Sequence, residues 1–273
     1  VHWFVVDETN KNPVSGQFFI IGGLVFNEEQ IEKVHSAIEL IRVRRGYHPG
    51  DKLKFQSSAR PAHVTIENAL AAKQEVISAL REHGVRMLTY VLLHDVGCNQ
   101  SEQARMEMGL NTIAWAYYRL LAMEKAWGCM MIDRDDKQHA HLVTLFQKGV
   151  GSGSKTSMAD RIKFYGMTSD NASHLSSAVD VALGGFRFCV NAAGKESVSE
   201  TGQVTVQNIF QPLSELLWGV EVGKKRHIGG FGYIERPQSV RAYSYREKYN
   251  NLKQKLETYS GSSAEPAGAE DEP

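Results

Sequence analysis

Apolar and β-branched residues open the chain in two runs, Trp3-Phe4-Val5-Val6 and a longer stretch over 18–26, with Asn10, Asn12, Pro13 and Gly16 between them. Such runs separated by turn formers predict two strands joined by a hairpin loop. Asn27-Glu28-Glu29 then supplies a helix start, and Ile31, Val34, Ile38 and Ile41 keep helical spacing as far as Arg45-Gly46. The pattern next predicts a short strand over 52–56, a helix over 65–83 ended by Gly84, and a strand over 85–93. Met106, Leu110, Ile113, Tyr117 and Leu120 mark one face of a helix over 102–127, which Gly128 closes before a strand over 129–132. A helix over 137–147, a Gly/Ser-rich loop, a strand over 162–167 and helices over 173–191, 204–222 and 243–259 complete the series.

Alternating strands and helices predict an α/β layered domain and exclude an all-helical one. The 273 residues, 42% hydrophobic, suffice for a substantial core. The expected organisation is a core over 1–200, a helical extension packed on it over 201–259, and a disordered acidic tail over 260–273. No fixed-period repeat is present.

Formal charge is zero, but the tail holds Glu265, Glu270, Asp271 and Glu272 with no Lys or Arg, which leaves the body with a net +4. A body this mildly basic would bind nucleic acid through local patches and metal rather than through its overall field. Cys98, Cys129 and Cys189 lie far apart without CxxC spacing and read as reduced thiols of a cytoplasmic protein. No apolar run approaches the roughly 20 residues of a membrane span, and no signal-peptide pattern opens the chain. The start at Val1 rather than Met implies that a few native residues precede it.

Three aspartates stand where this architecture could bring them together. Asp7 follows the first apolar run, where a carboxylate needs a partner or protonates; the alternative is a turn residue satisfying local amides. Asp133 ends Cys129-Met130-Met131-Ile132, while Asp135 or Asp136 better suits capping the next helix. Asp180 sits in Ala178-Val179-Asp180-Val181-Ala182-Leu183-Gly184-Gly185, among small and apolar residues. An acid isolated in this way faces something specific: a metal, an Arg such as Arg187, or a backbone donor. Convergent carboxylates point to a divalent cation.

Together these motifs resemble the carboxylate arrangement of ribonuclease-H-like folds, and more narrowly the prokaryotic domain-of-unknown-function family 3800. The resemblance rests on Val6-Asp7-Glu8-Thr9, Ile20-Ile21-Gly22-Gly23-Leu24-Val25, Leu53-Lys54-Phe55, Ile132-Asp133-Arg134 and Ser176-Ser177-Ala178-Val179-Asp180, in that order. Ser177 stands where the family usually has Gln, and Val179 where it has Ala. The resemblance implies a mixed sheet flanked by helices, with a C-terminal helical addition. It further implies a bacterial nuclease hydrolysing RNA or DNA with Mg2+ or Mn2+, with Asp7, Glu8, Asp133 and Asp180 as ligands and Lys54 at a phosphate. Hard oxygen donors suit either ion, and two ions about 4 Å apart activate water and stabilise the leaving oxygen. Glu8 can share the site only if the strand ends at Asp7, because neighbours on a strand point to opposite faces. The alternative is a noncatalytic module of a phage-defence or mobile-element complex, with 203–225 and the last helix meeting a protein partner.

Other signals are of lesser weight. Gly149-Val150-Gly151-Ser152-Gly153-Ser154-Lys155-Thr156 resembles a phosphate-binding loop but has Ser154 in place of the second motif Gly and follows a helix, so it reads as a flexible loop. His139 and His141, two apart on a helix, diverge and read as surface residues. Arg42, Arg44 and Arg45 suit a helix C-terminus, whereas Lys224, Lys225 and Arg226, beside a Gly-rich stretch, are the nucleic-acid-binding candidates.

Overall fold

The computed structural model describes residues 1–148, 157–169, 173–193 and 200–266. The loop over 149–156 and the acidic residues over 267–273 lie outside them.

The opening runs form β1 (His2–Thr9) and β2 (Phe18–Asn27), which pair antiparallel. Asn27 caps α1 (Glu28–Arg44) reciprocally, its side chain accepting from the Gln30 amide at 2.9 Å while the Gln30 side chain accepts from the Asn27 amide at 2.8 Å. Thr65 caps α2 (Ile66–Glu82), and β3 (Arg86–Leu93) returns antiparallel to β2. Helix α3 (Glu102–Met123) stops short of Trp127 because Lys125 adopts φ +52 and the Ala126 amide turns back to the Leu121 carbonyl.

Strand β4 (Gly128–Asp133) pairs parallel with β1, and β5 (Ile162–Thr168) pairs parallel with β4. Helices α4 (His139–Lys148) and α5 (His174–Ala193) fall close to the expected spans, whereas α6 (Glu200–Leu216) starts earlier and ends six residues short of the expected 204–222. The segment over 52–56 is irregular, not a strand.

The C-terminal part departs from a purely helical extension. After Leu216 the chain leaves the helix: the Trp218 amide donates to Met87 at 3.0 Å and its carbonyl accepts from Gly232 at 2.7 Å. These long-range backbone bonds draw 217–236 into the sheet as β6 (Val220–Val222), β7 (Lys225–Gly229) and β8 (Tyr233–Arg236). Strand β8 pairs parallel with β3, giving the order β5-β4-β1-β2-β3-β8-β7-β6. The Tyr249 hydroxyl of α7 (Tyr243–Ser260) accepts from the Leu93 amide at 2.8 Å and donates to the Arg236 carbonyl at 2.7 Å, which fixes the last helix to two strands. The expected disorder from 260 is corrected over β9 (Ser263–Pro266), which pairs with β7, buries Ala264 and donates its amide to Glu257.

The mixed sheet thus lies between two helical layers. Helices α1, α2, α5, α6 and α7 share a core with Val5, Ile20 and Leu24 on one face; α3 and α4 share another with Phe4, Val6 and Ile21. Helix α5 buries Val179, Val181, Leu183, Phe186 and Val190, each worth about 1.5–3 kcal/mol when fully removed from water. That packing presses α5 onto β1 and β2. No described helix is long and apolar enough to cross a membrane.

Candidate functional site

Side-chain alternation puts Asp7 on the face of Val5, toward α5, and Glu8 on the face of Val6. Strand β1 continues to Thr9 along β2, but its parallel pairing with β4 ends at Val6 and Ile132. Asp7 therefore emerges one residue beyond that pairing, and Asp133 ends β4 on the same face, opposite in alternation to Ile132. Gly22 lies opposite Asp7 in register, and a Cβ there would meet the Leu88 carbonyl oxygen at 2.6 Å and Leu183 of α5 at 3.1 Å. The bare glycine lets α5 descend on the sheet, which brings Asp180 to the aspartates.

One cleft is lined by Asp7, Lys52, Lys54, Asp133, Thr168, Ser176, Ser177 and Asp180, together with apolar neighbours. Burial, then the charges of Glu8, Asp133 and Asp180, push the Asp7 carboxyl up to about 7, against the Glu8 amide donating to it at 2.7 Å. Among the described residues, no lysine, arginine or histidine pairs with Asp7. Glu8 does not line the cleft; its carboxylate is bound by Lys11, which also reaches Asp135 at 3.4 Å. Burial still raises the Glu8 pKa, with Lys11 opposing. The persistence of β1 past Asp7 thus separates two acids that the motif places side by side.

Asp180 receives the Phe55 amide at 2.8 Å, and Lys54 Nζ lies 3.8 Å from its other oxygen. An irregular loop, not a strand, delivers both contacts. Its approach depends on Gly184 and Gly185: a Cβ on Gly184 would stand 2.5 Å from that of Phe55. Beneath Phe55 lies Lys73, with Nζ 5.3 Å from the ring centroid; burial lowers its pKa while Asp180 opposes. Lys73 was not singled out by the motifs. Its signal is a lysine among Ala69, Ala72, Val76 and Ile77 on the buried face of α2.

Comparison with protein-family models, with curated proteins and with solved structures finds no match.

The basic segment divides. Lys224 and Lys225 are exposed at the β6–β7 turn, four to five strand steps from β1, or roughly 19–24 Å at about 4.8 Å per step. Arg226 is corrected to a structural role: it donates to Ser262 Oγ at 2.9 Å and to the Leu217 carbonyl, and burial lowers its pKa. Arg226→Ala is expected to cost about 2–3 kcal/mol in urea unfolding by leaving buried acceptors unsatisfied, whereas Lys224→Ala changes stability by less than about 0.5 kcal/mol. Arg44 and Arg45 are likewise tied to Glu75, and Arg42 is buried against the following loop. His141 contacts Asn111 at 3.0 Å.

Proposed function

We propose that the chain is a ribonuclease-H-like, divalent-metal-dependent phosphodiesterase acting on RNA or DNA, of the family 3800 kind. The observation that carries this reading is the convergence of Asp7, Asp133, Asp180 and Lys54, from four separate segments, on one cleft. The donor set fits Mg2+ or Mn2+: hard carboxylate oxygens, one of them, on Asp7, partly buried and without a lysine, arginine or histidine partner among the described residues. A bound cation would supply an activated water and neutralise charge on the phosphate.

The protein's own groups divide the remaining work. Asp7 and Asp133 sit on adjacent strands, so the backbone holds their spacing. Asp180 is oriented by the Phe55 amide, which leaves Lys54 beside it to meet a phosphate oxygen. Thr168, Ser176 and Ser177 offer hydroxyl donors along the same cleft. Glu8, bound to Lys11, supports the site through charge and does not line it.

The test is incubation of labelled single- and double-stranded RNA and DNA with Mg2+ or Mn2+. Cleavage that EDTA stops and Asp133→Ala abolishes is the expected result; residual cleavage indifferent to both sinks the reading. Lys54→Met is expected to slow single-turnover cleavage by roughly 10–100-fold, as removal of one positioned donor does, while leaving substrate binding within about threefold.

A further inference from the structure

The segment over 45–65, between α1 and α2, contains only one turn of 3-10 helix, at Ser57–Ala59, and it carries Lys54 and Phe55 to Asp180. A connection this long needs something other than secondary structure to hold it. At its base stand His48, Asp51 and His63, whose ligand atoms all lie within 4.8 Å of one another. The two imidazoles stack with centroids 4.1 Å apart and planes 12° apart, and His63 Nε2 is 3.0 Å from Asp51 Oδ2. The His48 amide donates to the same carboxylate oxygen at 2.6 Å. From α1, buried Arg42 donates to the carbonyls of His48 and Asp51 at 2.9 and 3.0 Å, so the backbone of two of the three is held from outside the loop.

We propose that His48, Asp51 and His63 form a transition-metal site, of the Zn2+ class, that latches this loop and holds Lys54 and Phe55 on Asp180. Two imidazole nitrogens and one carboxylate oxygen select borderline metals over Mg2+, and the single negative charge suits a divalent ion. Binding places the ion between His63 Nε2 and Asp51 Oδ2, with the His63 proton on Nδ1, and His48 turns out of its stack on His63 to reach it, because two parallel rings cannot both hold one ion in their planes. Both histidines are exposed, so the ion enters directly from solvent and water completes its shell. Metal binding here stands independently of the phosphodiesterase reading; only its effect on Asp180 bears on that site.

The full chain, stripped with EDTA, is titrated with Co2+ in excess Mg2+, following the visible absorption of the cobalt ion, with Zn2+ as competitor. One equivalent of Co2+ displaced by Zn2+ is expected. His63→Ala and Asp51→Asn should each weaken binding by more than about tenfold, since even loss of a supporting residue costs that much, while Asp133→Asn keeps the wild-type spectrum. Hydrogen exchange at the Phe55 amide should slow at least about threefold on Zn2+ addition in wild type and not in His48→Gln. No cobalt spectrum in wild type, or an unchanged one in His63→Ala, overturns the site. Cobalt binding that depends on His63 without any change at Phe55 overturns the latch. A chain that binds cobalt as expected but cleaves no nucleic acid retains the site and loses the phosphodiesterase reading.

Discussion

Asp7→Asn loses metal-dependent cleavage by at least about 100-fold and, in metal-free buffer at alkaline pH, unfolds at a higher urea concentration than wild type. The two effects share one cause. The folded-state pKa of Asp7 is raised from 3.8 to about 7, mainly by burial. Between those values the native chain keeps a proton that the unfolded chain has released, so stability falls as pH rises from about 4 to about 7 and then levels off. The full shift corresponds to an upper limit on the order of 4 kcal/mol. Asn carries no such titration, so the wild-type and variant curves, measured across this window in EDTA, should converge at low pH and diverge toward neutrality. Mn2+ should then raise wild-type stability and leave the variant little changed, because an ion that binds the native carboxylate offsets its burial. Parallel pH curves would mean that Asp7 is not the strained group at the centre of the cleft.

Gly23→Ala is expected to be the most destabilising single methyl added to the sheet. Gly23 pairs with Val6, and a Cβ there would fall well inside contact distance of the Val5 carbonyl oxygen, with Val6 Cα at 2.9 Å. Those are backbone atoms of a central strand and have no rotamer by which to give way. The cost should reach about 3 kcal/mol or more, at the upper end for overpacking, lowering Tm by roughly 6–12 °C. Because β1 carries Asp7, the same substitution should reduce cleavage even in the folded fraction. Calorimetry together with activity per folded molecule measures both. A Tm within about 2 °C of wild type would show that β1 and β2 separate at little cost.

Much of the fold was legible because it is written in local periodicity. Alternation and β-branched content outline β1 to β5, the cap at Asn27 marks a helix start, and the isolated acid of α5 stands out against its apolar neighbours. What failed was a matter of distant partners. The segment after Leu216 continues a helical apolar pattern, yet Met87 and Gly232 take its backbone bonds and turn it into sheet. Ser263–Pro266 has the composition of a tail, yet β7, whose register with β8 is limited to Gly229 and Tyr233, pairs with it. The loop over 52–56 mimics a strand, yet Asp180 accepts its amide.

The candidate site divides along the same line. The sequence by itself determined the α/β layering and nominated Asp7, Asp133 and Asp180, because strand ends and a lone acid on an apolar helix are visible one segment at a time, while Lys54 joined them only through the family resemblance. Only the tertiary structure decided that these four share a cleft, that Glu8 faces away to Lys11, that Arg226 is an internal strut, and that Lys73 lies beneath Phe55. The physical reason is that side-chain direction follows from local backbone geometry, whereas the neighbour a side chain meets depends on how far two backbones can approach. At Gly22 and Gly184 that approach is set by the absence of a single carbon.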